Sequence, residues 1–281
     1  MAYKRILTIQ DISCVGQCSL TVALPIVSAM GAECAVVPTA LLSTHTGVFT
    51  GYSCLDLTDE MGRILRHWDS LPLRFDGLYS GFLGSYEQIE LVGAVLEKYR
   101  GEGVLTLVDP VMADHGMLYA TYTSAMAGSM GELCRQADVI VPNLTEACIL
   151  LDRPYAEHPG EGEVRGLLEA LATRFSCGQV IITGVQQGDQ LGAAGFCAAD
   201  GSFTFAGAPR LQQVFYGTGD VFASALFAAM LHGRSTADAT RIAVDFTHEA
   251  MQHTLRNGLP LHYGAAFEQA LPGLMKELGL V

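Results

Sequence analysis

Charge is scarce in this sequence of 281 residues. Asp, Glu, Lys and Arg make up 16% of it, against about 25% in typical soluble chains. Lysine is the rarest of them, with only Lys4, Lys98 and Lys276, and 29 acidic against 16 basic residues give a formal net charge of −13. Because binding a nucleic-acid backbone requires clustered lysine and arginine, no nucleic-acid partner is expected. The hydrophobic content of 50% excludes intrinsic disorder.

A long uninterrupted apolar segment is also missing. The stretch Val22–Leu42 is about long enough to span a bilayer. However, Pro25, Gly31, Glu33 and Pro38 interrupt it, so it is predicted to form a buried helix followed by a buried strand. The N-terminus, MAYKRILTIQ, has neither the apolar region nor the small-residue cleavage site of a signal peptide. These features predict a cytoplasmic protein with no membrane partner.

The cysteines lack the spacing of a metal site. Eight are present, at positions 14, 18, 34, 54, 134, 148, 177 and 197. Only Cys14 and Cys18 lie close together, with no second cysteine or histidine pair at zinc-site spacing. In an intracellular chain they are expected to be reduced residues of the core. A metal-binding or redox role for the close pair is the alternative.

Apolar runs of strand length alternate with amphipathic helical stretches, which is the pattern of consecutive β-α-β units. Most runs are nearly continuous in Val, Ile and Leu, as expected of parallel strands buried on both faces. The predicted strands are Arg5–Gln10, Ala35–Pro38, Gly77–Ser80, Leu105–Asp109, Val139–Val141, Val180–Thr183, Ala193–Ala198 and Ser202–Ala206. The Asp-Gly turn between the last two predicts a hairpin, so the sheet should end in antiparallel strands.

Helical patterns fill most of the remaining sequence. The predicted helices are Ser19–Met30, Leu57–Trp68, Tyr86–Arg100, Thr123–Gln136, Leu144–Leu151, Gly162–Phe175, Thr218–Leu231, Thr236–Arg256 and Ala265–Leu278. The polar stretch Arg153–Glu163 is interpreted as a surface connection and not as a domain boundary. Residues 1–281 are therefore predicted to form one domain, a three-layer α/β/α doubly wound fold with a mostly parallel sheet. Ligands of such sheets bind beyond the carboxyl ends of the strands.

The strongest candidate site lies in Tyr216–Asp220, directly before an apolar helix. Gly217 and Gly219 let backbone N–H groups approach an anion closely, at the positive end of the helix dipole. Asp220, held in the first helical turn, can act as a general base toward a hydroxyl placed beside that anion. A glycine-rich turn followed by an ordinary first-turn aspartate is an equally good explanation of the local sequence.

Three more segments follow predicted strands. Asp109 and Asp114 suit a hydrated Mg²⁺, which takes few direct protein ligands; alternatively, Asp109 caps a loop and Asp114 is solvated. Asn143 and Glu146 have the spacing of a capping box, a sufficient structural reason for both, although the same geometry can aim Glu146 at a metal-bound water. Thr183-Gly184 can contact a phosphate or begin a turn, and the turn is favoured.

No Walker-type Gly-x4-Gly-Lys-Ser/Thr motif is present, and no lysine lies near these four segments. Phosphate transfer at such a site would have to rest on a metal ion, backbone amides and the helix dipole. At most an occasional arginine, such as Arg210, would add to these groups.

In this order, the four segments resemble the ribokinase-like superfamily of ATP-dependent small-molecule kinases. Gly217–Asp220 matches the anion hole and catalytic base of that superfamily, and Asn143-x-x-Glu146 matches its motif for magnesium and bound water. Over essentially its whole length the chain is similar to the vitamin B6 branch, the pyridoxal/pyridoxamine kinases. The further matching segments are Ile9-Gln10, Ser43–Thr46, Ser80–Ser85 and Asp109–Met112.

The resemblance implies a role for each matched residue. Asp220 takes the proton from the substrate's 5′-hydroxymethyl group as it attacks the γ-phosphate of ATP, beside an anion hole formed by Gly217, Thr218 and Gly219. The implied ATP-binding residues are Asp109, Asn143, Glu146, Thr183, Gly184 and Gly219, of which Asp109 and Glu146 also organise Mg²⁺ together with Asp114. The implied substrate pocket comprises Asp11, Ser13, Val15, Thr46 and Phe82. His45, in a Ser/Thr-rich loop, either borders the substrate as well or is only a loop histidine. A monovalent cation, K⁺ or Na⁺, is compatible with this set, and a homodimer is expected.

Two positions depart from the family pattern. Pyridoxal kinases commonly have Ser where this chain has Asp11 and Tyr where it has Phe82. Phe82 keeps a face for stacking. A carboxylate at Asp11 can pair with the protonated aminomethyl group of pyridoxamine or with a protonated ring nitrogen, which would favour pyridoxamine or pyridoxine over pyridoxal. Alternatively, Asp11 caps the loop and faces no ligand.

Two other functions compete with a vitamin B6 kinase. A hydroxymethylpyrimidine kinase of thiamine synthesis shares the superfamily and the mechanism, and differs in the ring pocket around residues 11–16 and 43–46. A non-catalytic protein that binds a vitamer or a nucleotide is the contrasting class. The presence of Asp220, Gly217, Gly219 and Glu146 argues against it, since a pure binder needs no base beside an anion hole.

Overall fold

The computed structural model describes residues 3–281. Its strands are β1 (Lys4–Ser13), β2 (Ala32–Leu42), β3 (Cys54–Asp56), β4 (Gly77–Ser80), β5 (Leu105–Val108), β6 (Ala113–Asp114), β7 (Met117–Leu118), β8 (Val139–Ile140), β9 (Gln179–Gln187), β10 (Gln190–Cys197) and β11 (Ser202–Pro209). Nine of them form one sheet in the order β11-β10-β9-β8-β5-β4-β1-β2-β3, and β6 and β7 form a separate hairpin.

The centre of the sheet is parallel and its edges are antiparallel. Strands β2, β1, β4, β5, β8 and β9 pair in parallel, whereas β3 and the β10–β11 hairpin are antiparallel to their neighbours. Cys197 pairs with Ser202 across the Asp200-Gly201 turn, so the predicted hairpin is confirmed.

Helices cover both faces of the sheet. They are α1 (Leu20–Ala29), α2 (Thr58–Trp68), α3 (Tyr86–Tyr99), α4 (Ser124–Cys134), α5 (Leu144–Leu150), α6 (Glu161–Phe175), α7 (Thr218–Leu231), α8 (Thr236–Arg256) and α9 (Leu271–Glu277). One buried cluster joins the sheet to α2–α6, and a second joins its other face to α1 and α7–α9. The three-layer, mostly parallel α/β/α fold is therefore confirmed.

The C-terminal helix prediction is wrong in part. In place of one helix over Ala265–Leu278, the chain forms a 3₁₀ turn at Phe267–Gln269 and then α9. Pro272 lies in the first turn of α9, where its missing N–H costs nothing. The other eight predicted helices agree with the structure to within two residues at each end.

Two strands extend further than predicted and carry site residues with them. β1 runs to Ser13, so Asp11 and Ser13 lie in the strand and not in the following loop. β9 continues through Thr183 and Gly184 to Gln187, so the favoured turn at Thr183-Gly184 is wrong. The edge strand β3 was not predicted, because its three residues are all exposed and have no apolar pattern.

The cysteines are all free thiols, as predicted, but not all belong to the core. Cys18, Cys134, Cys148 and Cys177 are buried, whereas Cys14 and Cys54 are exposed. Among residues 3–281, no helix combines the length and apolarity that crossing a membrane requires.

The order of the strands determines where a ligand can bind. The chain passes from β1 to β2 on one side and then returns to place β4 on the other side of β1. Such a reversal leaves a crevice beyond the carboxyl ends of the two central strands. Asp11 and Ser13 end β1 at this crevice, and Phe82 follows β4 beside it.

Candidate active site

An open groove with a volume of about 480 Å³ extends from the carboxyl ends of β5, β8 and β9 to the start of α7. Every residue predicted for ATP, metal or catalysis lines it: Asp109, Asp114, Asn143, Glu146, Thr183, Gly184, Gly217, Thr218, Gly219 and Asp220. Because these residues come from four separate parts of the sequence, their convergence at one groove is a property of the tertiary structure.

The turn that opens α7 has no room for side chains at Gly217. This residue is the N-cap of α7 with φ 68° in the left-handed region. A Cβ there would lie 1.8 Å from the carbonyl oxygen of Gln17, so only glycine fits. At Gly219, by contrast, a Cβ would meet nothing within 4 Å. Gly217, Thr218 and Gly219 line the groove at the start of α7, and the unpaired N–H groups of a helix N-terminus are suited to bind anions.

Asp220 is the third residue of α7, half-buried at the floor of the groove. Its pKa is raised to about 7, mainly by burial and to a lesser extent by the nearby charge of Asp11, with the backbone N–H of Ser19 acting in the opposite direction. A carboxylate whose pKa lies near neutrality is well matched to general-base catalysis.

A second pair of carboxyl groups lies across the groove. Asp109 directly follows β5 and is 7% exposed, and Glu146 lies in the first turn of α5 and is 2% exposed. Burial, the charge of Glu146 and the charge of Asp220 together raise the pKa of Asp109 well above its usual range. Ionisation of these neighbouring acidic groups is therefore unfavourable, and a bound cation would stabilise their charged form.

Glu146 also has a structural role. Its Oε1 accepts hydrogen bonds from the backbone N–H groups of Met112 at 3.0 Å and Ala113 at 3.4 Å, and its Oε2 accepts one from Asn143 at 2.9 Å. The Asn143 side chain in turn accepts the N–H of Glu146, which completes the predicted capping box. The capping interpretation is confirmed, and these bonds hold the carboxylate at the groove.

The donor set fits a hydrated divalent ion. Within residues 3–281, no three His, Cys, Asp or Glu side chains converge closely enough to ligate a metal directly. Asp109 and Glu146 are buried at the groove, and Asp114 is exposed at its rim, where its Oδ1 accepts the backbone N–H of His115. Mg²⁺ keeps several waters in such sites and takes one or two carboxylates.

Thr183 and Gly184 form a β-bulge beside the groove. Val185 and Thr183 pair with Gly192 and Ala193, which leaves Gly184 unpaired with φ 75°. The bulge bends β9 where Thr183 and Gly184 line the groove. The sequence signal for a bulge, an isolated glycine within an apolar strand, was present but was interpreted as a turn.

The residues predicted to bind substrate lie beside the groove and not in its lining. Asp11 and Ser13 are 6% and 1% exposed at the end of β1. The Asp11 Oδ1 accepts the hydroxyl of Ser19 at 2.6 Å, and its Oδ2 accepts that of Ser13 at 3.5 Å. Both carboxylate oxygens of Asp11 therefore accept hydroxyl groups of the chain itself.

The His45 ring is fully engaged within the protein. Its Nε2 lies 2.6 Å from the carbonyl oxygen of His262, its Nδ1 accepts the N–H of Gly47, and it stacks on Tyr216 with ring centroids 5.4 Å apart. It therefore connects residues 43–49 to Tyr216, which directly precedes the glycine turn Gly217–Gly219, called the anion turn below. Among the other predicted pocket residues, Val15 and Thr46 are exposed and Phe82 is half-buried, 6.2 Å from Tyr122 between ring centroids.

The apolar half of the groove was not predicted from the sequence. Its residues come from β10, β11, α7 and α8 and carry no shared motif: Leu191, Ala208, Phe222, Val244 and Met251. An apolar wall opposite an anion turn suits a molecule with a flat ring at one end and phosphates at the other.

Comparison with known proteins agrees with this geometry. The family model described as phosphomethylpyrimidine kinase matches residues 26–263. The hydroxymethylpyrimidine/phosphomethylpyrimidine kinase of Escherichia coli is 29% identical over 256 residues, which cover 88% of this chain and 91% of that protein.

Solved structures extend the similarity to the whole chain. A candidate phosphomethylpyrimidine kinase from Bacteroides thetaiotaomicron is 35% identical with a TM-score of 0.94, covering 98% of this chain and 94% of its own, and a second crystal form of it contains pyridoxal. The pyridoxal kinase of Lactobacillus plantarum is 32% identical with a TM-score of 0.90, covering 97% of both chains. The chain belongs to the phosphomethylpyrimidine kinase family, a family of kinases with the ribokinase-like fold that includes pyridoxal kinases.

Proposed function

We propose that this protein is an ATP-dependent kinase that phosphorylates the 5′-hydroxymethyl group of a vitamin B6 vitamer. The observation that carries the proposal is the placement of Asp220 in the same groove as an anion-binding helix start and a buried pair of carboxyl groups. A base, an anion site and a cation site on one surface are the parts that phosphoryl transfer needs.

In the proposed mechanism, Asp220 accepts the proton of the substrate hydroxyl as its oxygen attacks the γ-phosphate. The N–H groups at Gly217–Gly219 stabilise the negative charge that develops on the transferred group, and they need no rearrangement to do so. The strand bulge at Thr183-Gly184 contacts another phosphate of ATP. The apolar wall opposite binds the base.

Asp109, Asp114 and Glu146 would hold Mg²⁺ in this proposal. When bound, the ion supplies positive charge that neutralises the phosphates and the acidic cluster. Glu146 and Asp109 keep their positions through the capping box and the end of β5, so the ion requires no rearrangement of the backbone. The helix dipole and the ion together supply a locally positive field in a chain whose formal charge is −13.

Vitamin B6 is proposed ahead of hydroxymethylpyrimidine because of two similar proteins of known structure. The Bacteroides thetaiotaomicron protein, 35% identical, has a crystal form with pyridoxal, and the Lactobacillus plantarum protein, 32% identical, is a pyridoxal kinase. The hydroxymethylpyrimidine alternative is favoured by the family model and by the Escherichia coli relative at 29% identity. Both substrates carry a hydroxymethyl group on a flat nitrogenous ring, so they need the same catalytic groups.

A substrate panel tests the proposal directly. ADP production is measured with ATP and Mg²⁺ in the presence of pyridoxal, pyridoxamine, pyridoxine or hydroxymethylpyrimidine, and without an acceptor as control. We expect the highest kcat/KM of the panel to belong to one of the three vitamers. A higher value for hydroxymethylpyrimidine would assign the chain to thiamine synthesis, and acceptor-independent ATP binding without turnover would support the binding-protein alternative.

The pH profile tests the role of Asp220. The base must be deprotonated to act, and burial raises its pKa in the free protein to about 7. We therefore expect kcat/KM for the acceptor to fall about tenfold for each pH unit below this value and to level off above it. ATP and Mg²⁺ are kept saturating so that their own titration does not contribute. A profile that stays flat down to pH 5 would contradict the assignment.

A further inference from the structure

The rings of His45 and Tyr216 join the loop at residues 43–49 to the anion turn. They are stacked, with an angle of 28° between their planes and 5.4 Å between their centroids. Gly47 extends this contact, because a Cβ at that glycine would lie only 2.8 Å from Cδ1 of Tyr216. The Tyr216 ring therefore packs against both the imidazole and the backbone that follows it, and Tyr216 is bonded directly to Gly217.

Two hydrogen bonds within the chain fix the orientation of the imidazole. The backbone N–H of Gly47 donates to Nδ1 at 3.2 Å, so Nδ1 is the ring nitrogen without a hydrogen. Nε2 therefore carries the hydrogen and donates it to the carbonyl oxygen of His262 at 2.6 Å. Because both nitrogens are engaged and His45 is only 7% exposed, its ring has no polar atom left for a ligand. Its contact toward the groove is the stack on Tyr216.

The chain before the anion turn has little support of its own. Residues 211–215 form neither helix nor strand, and Val214 among them is 67% exposed. On the other side, the carbonyl oxygen of Gln17 lies so close to Gly217 that a Cβ there would be 1.8 Å from it. The turn is thus confined between Gln17 and the Tyr216 ring, and the position of that ring depends on His45.

We propose that His45 is a positioning residue, whose ring supports Tyr216 and thereby holds the N–H groups of the anion turn where the transferred phosphate is received. The proposal rests on the proposed kinase function, and it gives His45 a role other than contact with the ring of the substrate. Alignment matters strongly in such a reaction, since a displacement of about 1 Å can lower a rate by about 10²-fold.

Two substitutions separate the ring of His45 from its hydrogen bonds. His45→Gln keeps an N–H donor for His262 but has no ring to stack on Tyr216. We expect kcat to fall about tenfold, the scale of one aromatic pair, while KM for ATP and for the acceptor stays unchanged. His45→Phe keeps a ring and loses both bonds, so kcat should stay within about threefold of the wild type although Tm falls.

The opposite pattern, with full kcat in His45→Gln and a tenfold loss in His45→Phe, would overturn the proposal and limit His45 to holding its own loop. A change confined to KM for the acceptor would overturn it as well and would assign His45 to the substrate.

A double substitution tests whether His45 acts through Tyr216. Tyr216→Leu removes the ring that His45 supports and should itself lower kcat. In this background, His45→Gln should cost less than about threefold, since no aromatic pair is left to break. Equal losses of kcat in both backgrounds would contradict the proposed role. If His45→Phe does not fold, this pair of backgrounds carries the test alone.

His232 provides a matched control. Its Nε2 also lies beside a backbone carbonyl oxygen, that of Met30 at 3.0 Å, but it is the C-cap of α7, at the opposite end of that helix from the anion turn. His232→Gln should keep the wild-type kcat, and a tenfold loss would show that loosening α7 is enough to lower activity, which would overturn the positioning role. The outcome is separable from that of the proposed function: if Asp220→Asn is inactive while His45→Gln retains full kcat, only the positioning role fails.

Discussion

Asp220→Asn should lower kcat by about a thousandfold, within the range of general-base catalysis. The amide has the same shape as the carboxylate but cannot accept the proton of the attacking hydroxyl. KM for ATP should change little, because the anion turn, Asp109 and Glu146 remain in place. Steady-state kinetics with the best acceptor of the substrate panel measures both constants, and undiminished turnover would exclude Asp220 as the base.

The same substitution should stabilise the protein. Burial raises the pKa of Asp220 in the folded state from 3.8 to about 7, so at pH 8 the folded chain must hold a buried charge that the unfolded chain exposes to water. The neutral amide avoids that penalty. The gain in Tm should be largest above pH 7 and shrink as the pH falls from 7 toward the unfolded pKa, because the folded carboxyl group is already protonated there and the unfolded one becomes protonated as well.

Asp238→Asn is the control for this experiment. Asp238 occupies the same first-turn position in α8, where its N–H binds the hydroxyl of the N-cap Ser235, but it is exposed and remote from the groove. Asp238→Asn should leave kcat unchanged and lower Tm slightly, because it removes a negative charge from the first turn of α8. Comparable losses of kcat in the two variants would indicate a general effect of helix capping.

Substitutions of the two glycines of the anion turn should have different effects on stability and activity. Gly217→Ala places a Cβ 1.8 Å from the Gln17 carbonyl oxygen at φ 68°, so the turn must move. We expect a loss of about 2 kcal/mol or more in the free energy of unfolding, together with loss of activity. Gly219→Ala meets nothing within 4 Å, so the fold should be retained and even gain about 1 kcal/mol in helix propensity.

Despite its stability, Gly219→Ala should be nearly inactive. Its methyl group enters the open space in which the transferred phosphate is proposed to lie, and a fall of about 10²–10³ in kcat/KM is expected when such an anion site is lost. Gly128→Ala is the matched control, a helical glycine in α4 that also has nothing within 4 Å. Wild-type activity in Gly219→Ala would show that the N–H groups of the anion turn have no role in the mechanism.

Local patterns predicted most of the elements but not the functional contacts. Continuous Val, Ile and Leu runs identified the central parallel strands because both faces of those strands are buried. The capping box at Asn143–Glu146 was predicted from spacing because both of its bonds lie within one helical turn. The edge strand β3 and the break before α9 were missed, since the first depends on pairing with β2 and the second on packing at the C-terminus.

The sequence by itself determined the alternation of strands and helices, the glycine turn before α7 and the lack of lysine, which together led to the prediction that any phosphate is bound by backbone N–H groups and a metal ion. Only the tertiary structure decided that Ser19 donates a hydrogen bond to the buried Asp11, that the His45 ring contacts His262 and Tyr216, and that Gly184 lies in a bulge. The physical reason is distance along the chain. Propensities and caps act over a few residues, whereas these contacts join residues up to about 200 positions apart, which only the sheet order brings together.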